Sequence, residues 1–285
     1  MLWKKTNETI IEPHQRWLFL NFQELWQFRD LFVLFVRREF VTKYRQTALG
    51  PIWYLLQPLL LTFTFTMVFG KFAKLSTDGV PHILFYLSGL LIWGYFVQCF
   101  DTTAYTLSNN IGLFGKVYFP RLIIPLSAAA SKLMPFLIQL TLFSGTYLYC
   151  VLFTEETIGI RPGLTVLLMP FFLWQTAAVA LGAGLWIASL SVKYKDFGHV
   201  TPFLMQLWLY GTPVIYPASK IPEKYAFLLY LNPLSPAIEG LRYAFFGVGA
   251  FSWHSFTVSF LISSALLVSG LVFFGRVERT FVDTI

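Results

Sequence analysis

Six long apolar stretches divide the chain, and short polar segments separate them. The stretches lie at about 52–73, 83–107, 122–152, 164–191, 200–218 and 254–275. A helix needs ~20 apolar residues to cross the hydrocarbon core of a bilayer, because each residue advances it by ~1.5 Å. The backbone finds no water to bond in lipid, so each stretch must be helical. The pattern predicts an all-α integral membrane protein with six transmembrane helices.

A further region, residues 22–46, mixes apolar positions with cationic ones such as Arg37, Arg38 and Lys43. This spacing is typical of a helix that lies in the membrane interface. A solvated juxtamembrane linker is the alternative. The predicted organisation is a cytosolic tail at 1–21, an amphipathic interface helix at 22–48 and a six-span domain at 49–285.

Residues 219–247 form the second region that does not fit a plain count of spans. Two short apolar pieces, 225–231 and 234–246, are separated by Asn232-Pro233. Neither piece is long enough to cross the membrane. We predict a short re-entrant helical hairpin on the outer face, which is tolerable where protein or a water-filled cavity surrounds it. An ordinary outer loop is the alternative.

Composition agrees with a membrane location. Hydrophobic residues make up 56% of the 285 residues and charged residues 12%, with a mean hydropathy of +0.63. The net charge of +7 sits at the ends of apolar stretches rather than on one soluble face, which argues against nucleic acid. With the N-terminus inside, fourteen lysines and arginines fall on the inner side and six, including Arg242, on the outer side. The positive-inside rule therefore predicts that both termini are cytoplasmic.

Motifs for chemistry are missing from the sequence. It contains no GxxxxGK[ST] loop, no HExxH and no CxxC, so we expect no nucleotide site, no metal site and no catalytic residue in this chain. The two charges predicted inside spans are Asp101 in the second and Lys132 in the third. Both lie at similar predicted depths, so we expect an ion pair between these neighbouring helices. Such a pair would fix helix register; a proton relay is the alternative.

Aromatic side chains are frequent, at 19% of residues. An aromatic belt at the two membrane surfaces is the simplest explanation. Aromatic rings also stack on the apolar faces of sugars, so some of these residues are candidates for lining a sugar channel. The candidates in or near spans are Trp53, Tyr54, Trp93, Tyr95, Trp174, Trp208, Tyr210 and Tyr216.

An ordered set of short motifs resembles the ABC-2 type polysaccharide and polyol-phosphate export permeases. The segments in question read YRQTALGPIW at 44–53, KVYFPR at 116–121, KYKD at 193–196, TPVIYP at 212–217 and NPL at 232–234. Glu278, Phe281 and Asp283 resemble the family's C-terminal tail. Each motif is weak alone, but their order is specific. The resemblance covers about residues 22–285.

The resemblance implies a homodimer of permease subunits with two separate ATPase subunits, which bind ATP and Mg²⁺. It implies export of a lipid-linked polysaccharide, most often O-antigen, from the cytoplasm across the bacterial inner membrane. Capsule and teichoic acid are the alternative cargoes. It further implies that the interface helix and the 113–121 loop receive the ATPase motion and that the hairpin gates the outer exit. It places a Leu49-Gly50 turn at the cytosolic entrance, a tight turn that Gly50 permits because it has no Cβ.

The implied roles suit residues already noted. Arginine pairs well with phosphate, so Arg37, Arg38, Lys43 and Arg45 are candidates for the phosphate of a lipid anchor, with anionic lipid headgroups as the alternative ligand. The candidates for contact with the ATPase are Lys116, Tyr118, Phe119 and Arg121, for which a plain positive-inside loop is the alternative.

Two other classes of protein remain possible from the residues alone. An ion-coupled secondary transporter would need intramembrane carboxylates, and only Asp101 offers one. A membrane-embedded transferase would need an acid–base pair, and Glu155-Glu156 is the only adjacent carboxylate pair. A chain that moves or modifies substrate without an ATPase would favour these classes.

Overall fold

The computed structural model describes residues 22–44, 49–114, 119–154 and 162–281, and within these ranges it contains helices and no strand. The α-helices of these ranges are α1 (Phe22–Gln27), α2 (Arg29–Tyr44), α3 (Trp53–Phe65), α4 (His82–Ala104), α5 (Thr106–Asn109), α6 (Ile111–Phe114), α7 (Ile123–Ser131), α8 (Leu133–Phe153), α9 (Met169–Lys193), α10 (Phe197–Tyr210), α11 (Ala226–Leu231), α12 (Ser235–Phe246) and α13 (Trp253–Phe281). Short 3₁₀ helices lie at Gly50–Ile52, Leu164–Leu168, Ala218–Lys220 and Glu223–Tyr225, and a π-helix at Thr66–Phe72 extends α3.

Five helical segments of the described ranges are long and apolar enough to cross a membrane. They are Gly50–Phe72, His82–Ala104, Ile123–Phe153, Leu164–Lys193 and Trp253–Val277. These segments coincide with five of the six predicted spans, so the all-helical membrane class is confirmed.

The predicted span at 200–218 contains α10 and a non-helical segment after it. α10 has 14 residues, which cover only ~21 Å at 1.5 Å per residue. Turns follow at 211–217. The helix alone is therefore shorter than the ~30 Å hydrocarbon core.

The third span is broken at Lys132, between α7 and α8, whereas the sequence pattern suggested one continuous helix over 122–152. Pro135 explains the break, since a proline has no N–H for the carbonyl of Ser131 and its ring crowds that carbonyl. The Lys132 N–H instead donates to the Ala129 carbonyl at 3.1 Å, a tighter turn than in an α-helix. The 21 residues of α8 cover ~32 Å, enough to cross the hydrocarbon core without α7.

Helix α4 is the central helix of the bundle and packs against α3, α8, α9 and α12. The most apolar window of α4 is 78% buried, against 17–33% for the other four segments. Helix α9 lies between α4 and α13. A Cβ added to Gly182 would lie 2.7 Å from the Leu266 backbone of α13, and one added to Gly184 would lie 2.7 Å from Thr103 of α4. Such small residues let membrane helices pack closely.

Candidate functional site

Helix α2 packs against α7 and the segment that precedes it. Phe35 is 4% exposed and lies in one apolar cluster with Ile123 and Ile124 of α7. Its ring centroid is 5.8 Å from that of Phe119. The helix over 22–46 and the end of the 113–121 loop, which the sequence analysis linked, are therefore in contact.

Phe119 packs against this helix, and only 6% of its surface is exposed. Phe119 thus anchors the loop to the subunit, and contact of this loop with the ATPase stays a prediction. Arg121 is half-buried. The other two candidates for ATPase contact, Lys116 and Tyr118, lie outside the described residues.

The opposite side of α2 is exposed and carries a second apolar stripe. Val33 is 62% exposed and Leu34 57%, and Trp26 of the preceding helix α1 is 70% exposed. Arg37 is exposed on the same helix, and Arg38 places its guanidinium 4.9 Å from the ring centroid of Phe35. The helix thus presents apolar side chains and Arg37 away from the bundle. The side chain of Lys43 and the whole of Arg45 lie outside the described residues.

A polar network connects α2 to the break in the third span. The Lys132 ammonium lies 3.8 Å from Oε2 of Glu39, and Lys132 is only 6% exposed. Arg38 Nη2 lies 3.9 Å from Oε1 of the same carboxylate and donates to Asn110 Oδ1 at 3.5 Å. The predicted pair of Asp101 with Lys132 is wrong, because Asp101 is exposed while the buried cation faces Glu39.

Gly50 makes the turn that leads into α3. Its φ is +50°, in the left-handed region that glycine adopts without steric cost. Pro51 follows at the start of the Gly50–Ile52 turn, where its missing N–H is not needed. The sequence-based expectation of a tight turn at Leu49-Gly50 is confirmed. Leu49 is exposed, at 41%.

The aromatic candidates separate into buried and exposed groups. Tyr54, Trp93 and Tyr95 are 3–8% exposed inside the subunit, so the prediction that they line a channel is wrong for these three. The remaining five are partly or largely exposed: Trp53, Trp174, Trp208, Tyr210 and Tyr216. Trp174 stacks on Phe260 of α13, and Tyr216 donates its hydroxyl hydrogen to the Tyr210 carbonyl at 2.8 Å.

Near the N-terminal end of α4, a buried ion pair on α12 contacts several other segments. Arg242 of α12 is 1% exposed and donates to Glu239 Oε1 at 2.9 Å. The guanidinium also donates to the carbonyls of Pro213, at 2.6 Å, and Val214, at 3.0 Å. It covers the ring of Phe85 with 3.6 Å between its carbon and the ring centroid.

The second oxygen of the Glu239 carboxylate also has a partner, since Oε2 accepts from the Ala250 N–H at 3.0 Å. Helices α11 and α12, the segment 211–217, the loop after α12 and the start of α4 therefore form one unit. Sequence analysis counted Arg242 as an outer loop charge and did not use Glu239. Their i, i+3 spacing within an apolar segment was the signal for an internal pair.

Asn232, between α11 and α12, provides a second set of contacts in the same region. Its Oδ1 accepts from Trp208 Nε1 at 3.1 Å, and its Nδ2 donates to Thr212 Oγ1 at 2.8 Å. Gln175 of α9 donates to the Pro233 carbonyl at 2.8 Å. The Asn232-Pro233 corner is thus held by hydrogen bonds from α9 and α10.

Comparison with known proteins agrees with these features. The sequence model described as ABC-2 type transporter matches residues 30–246. The chain is 28% identical over 226 residues to the O-antigen export system permease protein RfbA of Myxococcus xanthus, covering 79% of this chain and 83% of that protein. It is 23% identical over 262 residues to the protein of the same name from Klebsiella pneumoniae, covering 89% and 94%.

A capsule polysaccharide export inner-membrane protein, CtrC of Neisseria meningitidis, is 19% identical over 250 residues, covering 85% of this chain and 89% of that protein. The family match extends from the interface helix to the end of α12, so it includes both ends of the bundle. The chain belongs to the ABC-2 type transporter membrane family.

Proposed function

We propose that this chain is the membrane-spanning permease subunit of an ATP-driven exporter that moves lipid-linked polysaccharide, an O-antigen, from the cytoplasm across the bacterial inner membrane. The observation that carries the proposal is its similarity to O-antigen export permeases over most of both chains. Energy would come from a separate ATPase chain that binds ATP and Mg²⁺. Two such chains and two copies of this one would form the exporter.

A sixth crossing between α9 and α13 would bring both termini to the cytoplasmic side. Two contacts with α4 support it. The Tyr105 hydroxyl, just after the C-terminal end of α4, donates to the Gly198 carbonyl at 2.9 Å. Arg242 bonds the Val214 carbonyl beside Phe85, near the N-terminal end of α4. Residues 198–214 thus run from one end of a membrane-spanning helix to the other, with α10 and the turns after it together making the crossing.

The outer end of the bundle suits a re-entrant hairpin. Helices α11 and α12 have 6 and 12 residues, about 9 and 18 Å at 1.5 Å per residue, so neither can cross. Irregular backbone at membrane depth is tolerated where protein surrounds it. The Asn232-Pro233 corner meets this condition, since α9 and α10 satisfy its polar groups. In the proposed exporter this hairpin gates the outer exit.

The inner end suits contact with lipid headgroups and with the ATPase. The exposed side of α1 and α2 combines Trp26, Val33 and Leu34 with Arg37, a composition typical of helices in the membrane interface. Arg37 and Arg38, with Lys43 and Arg45, would attract the phosphate of a lipid anchor or of lipid headgroups. Leu49 and Gly50 would then lie at the cytosolic entrance.

Complementation tests this proposal. The chain and its ATPase are expressed in a Klebsiella pneumoniae strain that lacks its own O-antigen permease and ATPase, and O-antigen on the cell surface is measured. Surface O-antigen that requires both chains supports the proposal, and its absence despite both chains in the membrane contradicts it. A parallel strain that lacks its capsule export permease tests the second candidate cargo, which the similarity to CtrC favours.

A further inference from the structure

Among the described residues, helix α2 contacts the bundle along one side. Its inner side contacts α7 through Phe35 and the residues around it, while Val33 and Leu34 face away from the bundle. Apolar contacts of this kind have no direction and tolerate sliding. A displacement of α2 would therefore reach the membrane spans only if a directional contact fixed its position relative to one of them.

The contact between Glu39 and Lys132 is a directional contact of this kind. The Lys132 ammonium is buried in the break between α7 and α8, and a buried ammonium is stable only beside a negative partner. Glu39 is that partner, at 3.8 Å. Moving α2 away from the break would leave the cation without compensation, so α8 is expected to follow α2.

Glu39 also faces charged and polar groups from other elements. Arg38 Nη2 lies 3.9 Å from its Oε1 and bonds Asn110, which follows α5. The carboxylate interacts electrostatically with Tyr54 in the first turn of α3. Glu39 therefore contacts the break in the third span and lies near Tyr54 of the first span, while the adjacent Arg38 contacts the segment after the second span.

We propose that Glu39 and Lys132 form a positioning pair that passes movement of the interface helix to the break at the inner end of α8. This inference rests on the proposed function, since it assumes that an ATPase moves α2. Neither residue contacts the polymer in this proposal. The pair sets how much of the ATPase motion reaches the spans, and the break at Lys132 is where α8 changes its angle to α7.

The experiment compares ATP hydrolysis with polymer export in vesicles that contain the complex of this chain and its ATPase. The probe is radiolabelled lipid-linked polysaccharide prepared from the strain that encodes the chain. The variants are Glu39→Gln, Lys132→Met and the exchange Glu39→Lys with Lys132→Glu. Asp30→Asn is the matched control, because Asp30 lies on the same helix in an exposed pair with Arg29 at 3.8 Å.

For Glu39→Gln and Lys132→Met we expect the complex to assemble and hydrolyse ATP, with export per ATP lowered about tenfold, a typical size for lost coupling between sites. The exchange variant should recover most of the export per ATP, and Asp30→Asn should match the unaltered complex. A pair that only stabilises the fold would lower hydrolysis and export together, in proportion to the complex recovered, and this result would overturn the inference.

Unchanged export per ATP in Glu39→Gln would overturn it as well. If the single variants fail to assemble, the exchange variant decides the question. An exchange variant that assembles and recovers export per ATP supports the pair, whereas one that assembles without recovering export per ATP contradicts it. Absence of export from the unaltered complex would instead overturn the proposed function, and the inference with it. The two failures are therefore distinguishable.

Discussion

The buried pair of Glu239 and Arg242 allows a quantitative prediction for α12 and the segments it joins. Arg242→Met would remove the guanidinium and leave the Glu239 carboxylate buried, with the Ala250 N–H at 3.0 Å as its remaining hydrogen-bond donor among the described contacts. Removing one partner of a buried ion pair costs ~3–5 kcal/mol, because the remaining charge is uncompensated. The carbonyls of Pro213 and Val214 would also lose their donor, at ~1 kcal/mol for each bond.

Glu239→Gln should destabilise for the converse reason, since the guanidinium keeps its carbonyl partners but loses its counter-charge. The double variant removes both charges, so its loss of stability should be smaller than the sum of the two single losses. For residues in direct contact, the effect of a double substitution on stability typically differs by ~0.5–3 kcal/mol from the sum of the single effects. We expect a difference of about 2 kcal/mol here.

The assay is thermal unfolding of the purified chain in detergent, followed by circular dichroism. Lys220→Met is the control, since Lys220 is an exposed cation on the same side of the bundle. We expect Arg242→Met to lower the Tm by several degrees and Lys220→Met to leave it unchanged. An unchanged Tm in Arg242→Met, or full additivity in the double variant, would refute the reasoning.

Three further substitutions test the fold at single positions. Gly182→Val should prevent close packing of α9 on α13, because its first added carbon would already lie 2.7 Å from the Leu266 backbone, and we expect loss of the folded peak in size-exclusion chromatography. Gly50→Ala should cost ~1–2 kcal/mol from backbone strain alone, since nothing lies within 4 Å of the added carbon; a matched Gly145→Ala, also in open space but within α8, should not lower the Tm. Phe119→Ala should cost ~3–5 kcal/mol and speed proteolysis of the 113–121 segment, whereas equal cleavage rates would contradict its anchoring role.

Much of the helical layout was predictable because lipid restricts the choices. An apolar run of about 20 residues must be a helix in a membrane, so five spans follow from composition alone. The short pieces predicted at 225–231 and 234–246 correspond to Ala226–Leu231 and Ser235–Phe246, because Asn232-Pro233 interrupts the helical pattern. The glycine at the predicted turn does adopt a positive φ.

Side-chain partners were harder to predict, because they depend on which helices are neighbours. We paired Lys132 with Asp101 on the assumption that the third span is continuous and that its closest charge lies on the second span. The break that Pro135 causes and the packing of α2 against α7 give Lys132 a different partner, Glu39. Pro135 was visible in the sequence, but Pro58 and Pro202 lie inside continuous helices, so a proline alone did not identify the break.

The aromatic prediction failed for Tyr54, Trp93 and Tyr95 for a related reason. Composition identifies aromatic residues in spans but does not distinguish a central helix from a peripheral one. Trp93 and Tyr95 belong to α4, which is surrounded by other helices, and Tyr54 lies near Glu39 of α2. The long apolar pattern of a central span resembles that of a lipid-facing one, so burial could not be read from it.

Reconstitution tests the central claim most directly. Vesicles containing this chain, with or without its ATPase, are supplied on the outside with ATP, Mg²⁺ and radiolabelled lipid-linked polysaccharide, and polymer protected inside the vesicles is measured. Our account predicts protected polymer only when both chains and ATP are present. Protected polymer with this chain alone, or none with both chains and ATP, would contradict it.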